Sequence, residues 1–539
     1  MVYARFFRKL PFVLLIAVAS CSSKDKGSNM DPVTGGGVGG ADMATGGTSG
    51  AGATGGTGGM AAGAAGDVGG AGGVMSMMAG TGGAGGVGGE AGTAGTGGMA
   101  GEMPGGMGGD GGSGGTPGGV EPNPDGTDPL PPLPEAMTLP IIFVHGFAGS
   151  AQQYESQAQR FVANGYPQER IRAYDHDGSG FDIAGYANGV DAVVDQALED
   201  FGTDKVFLVG HSRGTFVGSD YLGNATRAAK VAKYISLDGS GCVGISVPCL
   251  EPSQSSIPGQ AHVEISTSRE SFQAQYEFLL GSAPMIVDIV PQKAPVVLNG
   301  RAVNFPANTG RTSTTVELWE IDEETGYRAT DMPLATMTLD AEGNWGPVTV
   351  DSRKRYEFAL VPTGEGSTHH IYMQNFLRNS DFVRLLSGDS TSATRMNTNT
   401  GDMHSTIVAM RMREWYATDN GQTAGDQTDT IELSTTRPSG DVDAVNALQR
   451  FIGNATIGIH IHDAAASPGD STLTALPYFS GQAFQNGVDV FMPAADPPDG
   501  TITFKNVPRG DTANPQIVNI PNWVSSKHAI TVMLADYAQ

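Results

Sequence analysis

The stretch VGHSRGTF, Val209–Phe216, lies between two contrasting runs of sequence. Before it, KVFLVG is apolar and β-branched and predicts a buried strand ending at Gly210; after it, RGTFVGSDYLGNA can run as a helix. A serine with Gly210 and Gly214 two residues to either side, set on a strand–turn–helix junction, has the pattern of a nucleophile elbow. The nucleophile of such a turn takes a strained backbone, and a side chain at either glycine would run into the neighbouring strand or helix. Ser212 is therefore the candidate nucleophile.

A serine hydroxyl is a poor nucleophile until a base takes its proton, so a histidine oriented by a carboxylate is required downstream. With this elbow the chain order is Ser, then Asp or Glu, then His. Asp238 ends YISLD, the next predicted strand, which puts its carboxylate at the same sheet edge as Ser212; Asp288, in an apolar stretch after the last helix, is the weaker competitor. Of the ten histidines, His262 in PGQAHVEISTSRESF is the candidate base, since it lies in the loop before the final helix of this region. His145 and His211 adjoin glycines and are read as shaping their turns, while His369, His370, His404 and His528 fall in later sequence where a structural role is expected. His460 and His462 alternate onto one strand face, but they lack a third ligand at metal spacing. No metal or cofactor is expected. Two backbone N–H groups are candidates to stabilise a developing oxyanion: that of Arg213, after the nucleophile, and that of Phe147 in HGFAG, where the chain turns back after the first strand.

Around these residues, LPIIFVHG, RIRAYDHD, KVFLVG and VAKYISLDG read as strands, and AQQYESQAQRFVANG and GYANGVDAVVDQALEDFG as amphipathic helices. That alternation predicts a parallel α/β sheet over 135–292. A last helix is predicted from Thr267, with Glu270 completing a capping box, to Gly281. Beyond Pro291 short strands such as TTVELWEID, YEFALVP, ATIGIHIHD and TITFKNVP are separated by turn residues. They predict all-β sandwich or barrel material in two units, 293–388 and 389–539.

The chain has 539 residues, but just over half of its 79 glycines lie between Gly27 and Gly119. Residues 21–134 lack hydrophobic periodicity and are expected to form a disordered tether, stiffened near PLPPLPE. Arg5, Arg8 and Lys9 precede the short apolar run LPFVLLIAVA and then VASC, which resembles a bacterial lipoprotein signal over 1–20 with lipidation at Cys21. The expectation is an exported lipoprotein at the outer membrane or cell surface, anchored by its lipid. A net charge of −25 without a basic run excludes nucleic acid as a partner. In an exported chain Cys242 and Cys249, in CVGISVPC, are expected to pair as a disulfide.

With HGF, GHSRG, SLDG and AHVEISTSRESF in view, residues 139–284 resemble the α/β-hydrolase domain of small bacterial and archaeal lipases. The wider layout, a compact lipase domain followed by β-rich sequence, resembles a two-domain family that includes an archaeal long-chain acyl lipase. The resemblance implies Ser212 as nucleophile, Asp238 as acid, His262 as base, and Phe147 and Arg213 as oxyanion donors. It implies a serine ester hydrolase that cleaves acylglycerols or related fatty-acyl esters through an acyl-enzyme; separately, a monomer is expected. A polyester depolymerase and a non-catalytic surface-binding lipoprotein are the alternatives. The sequence departs from the lipase pattern between acid and base, where only GSGCVGISVPCLEPSQSSIPGQ stands in place of a larger lid, and this predicts an open cleft.

Overall fold

A computed structural model describes residues 134–388, 392–416, 428–445, 455–465 and 468–537. The expectations for residues 1–133, including the signal, Cys21 and the tether, lie outside the described residues. The first described region is built on five parallel strands: β1 (Ile141–Val144), β2 (Ile171–Tyr174), β3 (Val206–His211), β4 (Val231–Leu237) and the short β5 (Cys249–Leu250), in the order β2-β1-β3-β4-β5. IIFV in β1 has no polar residue to show to water, and all four side chains are fully buried. The helices are α1 (Glu155–Ala163), α2 (Ile183–Phe201), α3 (Arg213–Leu222), α4 (Ala225–Ala228) and α5 (Arg269–Leu280). Phe143 and Val209 face a core shared with α1 and α5, while Val144 and Leu208 face one shared with α2 and α3. The region is thus a three-layer α/β/α domain. Strand order reverses at β1, between β2 and β3, and in an open parallel sheet the crevice at that switch point is where a ligand binds.

Local chemistry explains the helix ends. Asp182 accepts the N–H of Gly185 to cap α2, and Gly202 ends it with φ 61°. The capping box predicted from Thr267 is displaced by one residue. Thr267 closes a 3-10 turn, its N–H bonding Glu264 O at 3.0 Å, and Ser268 is the cap, accepting the N–H of Ser271. Glu270 instead accepts the side-chain amide of Gln260 at 2.7 Å.

The rest of the described chain is three stacked sheets. The middle sheet has eight strands, in the order Gln485–Asp489, Thr456–His462, Ile407–Trp415, His528–Met533, Thr368–Met373, Arg355–Pro362, Thr314–Ile321 and Ala335–Thr338. One face packs through Ile371, Met410 and Met533 on the sheet that contains Val296–Asn304 and Ser380–Ser387. The other packs through Tyr372, Ile459 and Val532 on the sheet that contains Thr430–Thr436 and Thr501–Val507. The two β-rich stretches expected as separate units therefore share this sheet, because Thr368–Met373 pairs in parallel with His528–Met533. Burial on both faces removes the alternation that would have marked these strands as a common middle layer. The β region meets the α/β domain through Phe382, edge-on to Phe143 at 6.4 Å, and through Asp175, held by Arg301 at 2.9 Å and Arg384 at 2.8 Å.

Candidate active site

Ser212 follows β3 directly and caps α3 with φ 52° and ψ −120°, a left-handed backbone that costs a non-glycine residue on the order of 1–3 kcal/mol. The turn closes because two glycines let backbones touch. A Cβ on Gly214 would stand 2.1 Å from Val144 O in β1, and one on Gly210 2.6 Å from Gly214 O. The N–H of Ser212 bonds Leu237 O at 3.0 Å, which ties the elbow to the end of β4.

Asp238 is the next residue, also with a positive φ of 43°. Its Oδ2 lies 2.6 Å from His262 Nδ1, and its Oδ1 accepts the N–H of Gln254 at 3.2 Å. Burial works to raise this carboxyl, but the bonds from His262 and Gln254 outweigh it and hold the group below the ordinary carboxylate range. With Nδ1 committed to Asp238, Nε2 is the nitrogen of His262 left to exchange a proton. His211, next to the serine, bonds His262 O through Nε2 at 2.8 Å, and the two rings lie 4.7 Å apart. The fold thus gathers the Ser212 turn, Asp238 and His262 at the C-terminal edge of β3 and β4.

The HGF loop leaves β1 on the other side of the switch point. The first N–H groups of a helix have no intrahelical acceptor, which leaves that of Arg213 at the N-terminus of α3 free to point at an anion. Among the described residues no acceptor takes the N–H of Phe147. The Arg213 side chain has a separate task. It is buried against the rings of Phe147, Phe181 and Tyr186, and it donates to Asp177 O at 2.7 Å and His176 Nδ1 at 3.0 Å. A guanidinium cannot accept, so His176 donates from Nε2 to His145 O, 2.9 Å away. The His176 N–H in turn reaches His145 Nε2 at 3.1 Å, leaving His145 Nδ1 to donate to Gly146 O at 2.9 Å. Burial pushes His176 down to about 4 and His211 to about 3, and holds His145 well below its usual value, so all three are neutral struts of these turns.

Three contributors come from the β region and carry no signature in the sequence. Glu414 accepts the N–H of Val263 at 2.5 Å and of Glu264 at 2.9 Å, the two residues after His262. The ring of Phe484 lies parallel to that of His262, with centroids 6.4 Å apart. Asn308 donates to Gly149 O at 2.8 Å and to His176 O at 2.9 Å, bracing the loop that carries Phe147. Phe484 and Ala148 also line a largely apolar cavity of about 150 Å³, together with Leu386, Phe305 and side chains of the middle sheet.

Other candidates lie elsewhere. Asp288 pairs with Arg269 at 2.6 Å on the exposed surface. His370 bonds the buried Glu357, and His528 bonds His370, within the β region. His369 bonds Thr531, and His404 has Nε2 3.4 Å from Asn399 O. Cys242 and Cys249 are joined as a disulfide. Among the described residues no group of three or more His, Cys, Asp or Glu is placed to hold a metal ion.

Residues 137–240 match a family model described as serine aminopeptidase, S33. Residues 294–390 match the lipase C-terminal domain, and 393–538 match a further C-terminal domain model. Among solved structures, the chain is similar to the lipase BlEst2 of Bacillus licheniformis in its propeptide form, at 12% identity over 72% of this chain and 94% of that one, TM-score 0.21. It is similar to phospholipase PlaB of Legionella pneumophila at 9% identity over 74% and 93%, TM-score 0.16. A gene product of Listeria innocua matches at 11% identity over 28% and 96%, TM-score 0.22. Likenesses this distant carry no substrate with them. The chain thus has the fold of an α/β-hydrolase domain followed by a region rich in antiparallel β-strands, within which residues 294–390 match the lipase C-terminal domain model.

Proposed function

We propose that the chain is a serine ester hydrolase acting on fatty-acyl esters. The observation that carries this reading is the 2.6 Å pair of His262 Nδ1 and Asp238 Oδ2 beside a serine with φ 52° at the switch point of the sheet. Ser212 Oγ attacks the ester carbonyl as His262 Nε2 takes its proton, and Asp238 holds the ring and stabilises the imidazolium. The N–H groups of Phe147 and Arg213 meet the oxyanion, each worth about 3 kcal/mol in the transition state. His262 returns the proton to the leaving alcohol, then activates water to release the acid from the acyl-enzyme. The apolar cavity beside Ala148 and Phe484 suits an acyl chain. An anchor at Cys21 and a glycine-rich tether belong to the same proposal, holding the enzyme near a membrane while letting it range.

The test is the initial rate on p-nitrophenyl esters of graded chain length, beside Ser212→Ala. The variant should lose activity about a million-fold, as removal of such a nucleophile does, and an organophosphonate should label Ser212 of the native chain. Absence of both hydrolysis and labelling would overturn the reading.

A further inference from the structure

The cavity beside the oxyanion loop is not uniformly apolar. Val408 and Met410 line it, but so do His369, His460 and His462. These histidines are buried and share the face of the middle sheet that looks into the space. His460 and His462 stand two residues apart on one strand, so their side chains rise side by side, about 6.6 Å apart at the backbone. Each histidine has one ring nitrogen committed to the protein. His460 Nε2 meets Gln485 Oε1 at 3.0 Å, and His462 Nδ1 meets Asp463 O at 3.2 Å. Both of those oxygens accept, so both committed nitrogens carry the hydrogen. The second nitrogens, His460 Nδ1 and His462 Nε2, then hold lone pairs, and His462 Nε2 is fully buried with no hydrogen-bond partner among the described residues. Burial lowers the affinity of both rings for protons, His460 to about 3, which keeps them neutral and their lone pairs available. A buried acceptor such as His462 Nε2 carries the cost of its lost hydration until a donor reaches it.

A plain hydrocarbon chain satisfies neither nitrogen; a hydroxyl does, because its O–H donates. Carbonyl and ether oxygens only accept and cannot meet a lone pair. Resting on the ester hydrolase reading, we propose that this cavity is an acyl site for hydroxylated chains, with the substrate hydroxyl donating to His460 Nδ1 or His462 Nε2. The substrate class is then the hydroxyacyl ester, either a lipid with a hydroxy-fatty acyl group or the free end of an oligomer of hydroxyalkanoates.

The full chain is assayed on methyl octanoate and on methyl hydroxyoctanoates whose hydroxyl is moved carbon by carbon, with released acid followed by titration. At one or more positions kcat/KM should exceed that for methyl octanoate by about tenfold, the worth of one well-made hydrogen bond. The ratio should fall towards one in His460→Phe or His462→Leu and persist in His460→Asn, which keeps an acceptor. Should the apolar variants fail to fold, the same preference is read as a larger rise in melting temperature of Ser212→Ala chain with the hydroxy-ester than with the plain ester. Equal rates at every hydroxyl position, or a preference unchanged in both apolar variants, would overturn the site. Failure of the ester hydrolase reading looks different: neither ester is cleaved and the organophosphonate does not label Ser212. A dimeric hydroxyalkanoate ester then separates the two sources, being cleaved faster than the hydroxy-fatty ester only if the oligomer is preferred.

Discussion

Glu414 grips the loop of His262: its carboxylate accepts the backbone N–H groups of Val263 and Glu264 from a strand 151 residues beyond Val263. The charge is almost fully buried, and burial raises its carboxyl against the pull of those N–H groups. Glu414→Ala should lower kcat ten- to a hundredfold while KM changes little, because two charge-assisted hydrogen bonds that orient the base are lost. Glu414→Gln, which keeps one acceptor oxygen, should recover part of it. A purely structural role would instead lower the amount of folded enzyme without changing kcat per labelled Ser212, which active-site titration distinguishes.

Asn308 does for the oxyanion loop what Glu414 does for the histidine loop. With its bonds to Gly149 O and His176 O removed in Asn308→Ala, the Phe147 N–H loses its fixed direction. The expected result is a fall in kcat of about tenfold, part of the roughly hundredfold or greater cost of deleting a donor outright. The residual hydrolysis of a Ser212→Ala chain should fall as well, because direct attack of water forms an oxyanion that the same donor stabilises.

The α/β domain was largely legible in the sequence because its signals are local. IIFV and VFLVG are apolar runs bounded by glycine, and the elbow carries its own glycines. Ser212 and Asp238 each sit at the end of a readable strand, and His262 lies in the loop before a readable helix. Glu414, Asn308 and Phe484 had no such mark: each is an ordinary residue in a β stretch, and its role comes from a contact with chain more than 150 residues away. The shared middle sheet escaped for the same reason, since its parallel pairing of Thr368–Met373 with His528–Met533 joins strands with no sequence link. The displaced cap at Ser268 reflects a tie between two adjacent capping residues, settled by the 3-10 turn before them.

The Cys242–Cys249 bond closes a loop of sequence separation 7, which in the chain-entropy model gives about 2.5 kcal/mol of local stabilisation. Cys249 also opens β5, and just beyond it Pro252 O accepts the N–H of Asp238 at 2.8 Å while Gln254 bonds its carboxylate. Dithiothreitol should therefore speed proteolytic cutting within 239–260 and lower kcat several-fold. The double variant Cys242→Ser, Cys249→Ser should match the reduced enzyme and be indifferent to reductant. An unchanged rate on reduction would mean that the strand pairing alone holds Asp238.

Glu357 offers a pH test of the β region, remote from the elbow. It is fully buried, with His370 Nδ1 at 2.6 Å and the Arg328 guanidinium at 2.8 and 3.0 Å. Burial alone would raise its carboxyl; the charge and bond of His370, then those of Arg328, outweigh it and bring the group down from 4.5 to about 2. A carboxylate with a depressed folded value contributes stability that is present above its unfolded value and lost as pH falls through its folded one. The contribution, on the order of 3 kcal/mol at neutral pH, should thus fade between about 4.5 and 2. Glu357→Gln should melt several degrees below the native chain at pH 7, since it leaves Arg328 buried beside a neutral group. That gap should close as the pH is lowered through the same window. Thermal melts of both chains from pH 7 to the acid limit of folding measure it, and a gap that stays constant across the window would show that Glu357 is not the ionised partner of His370 and Arg328.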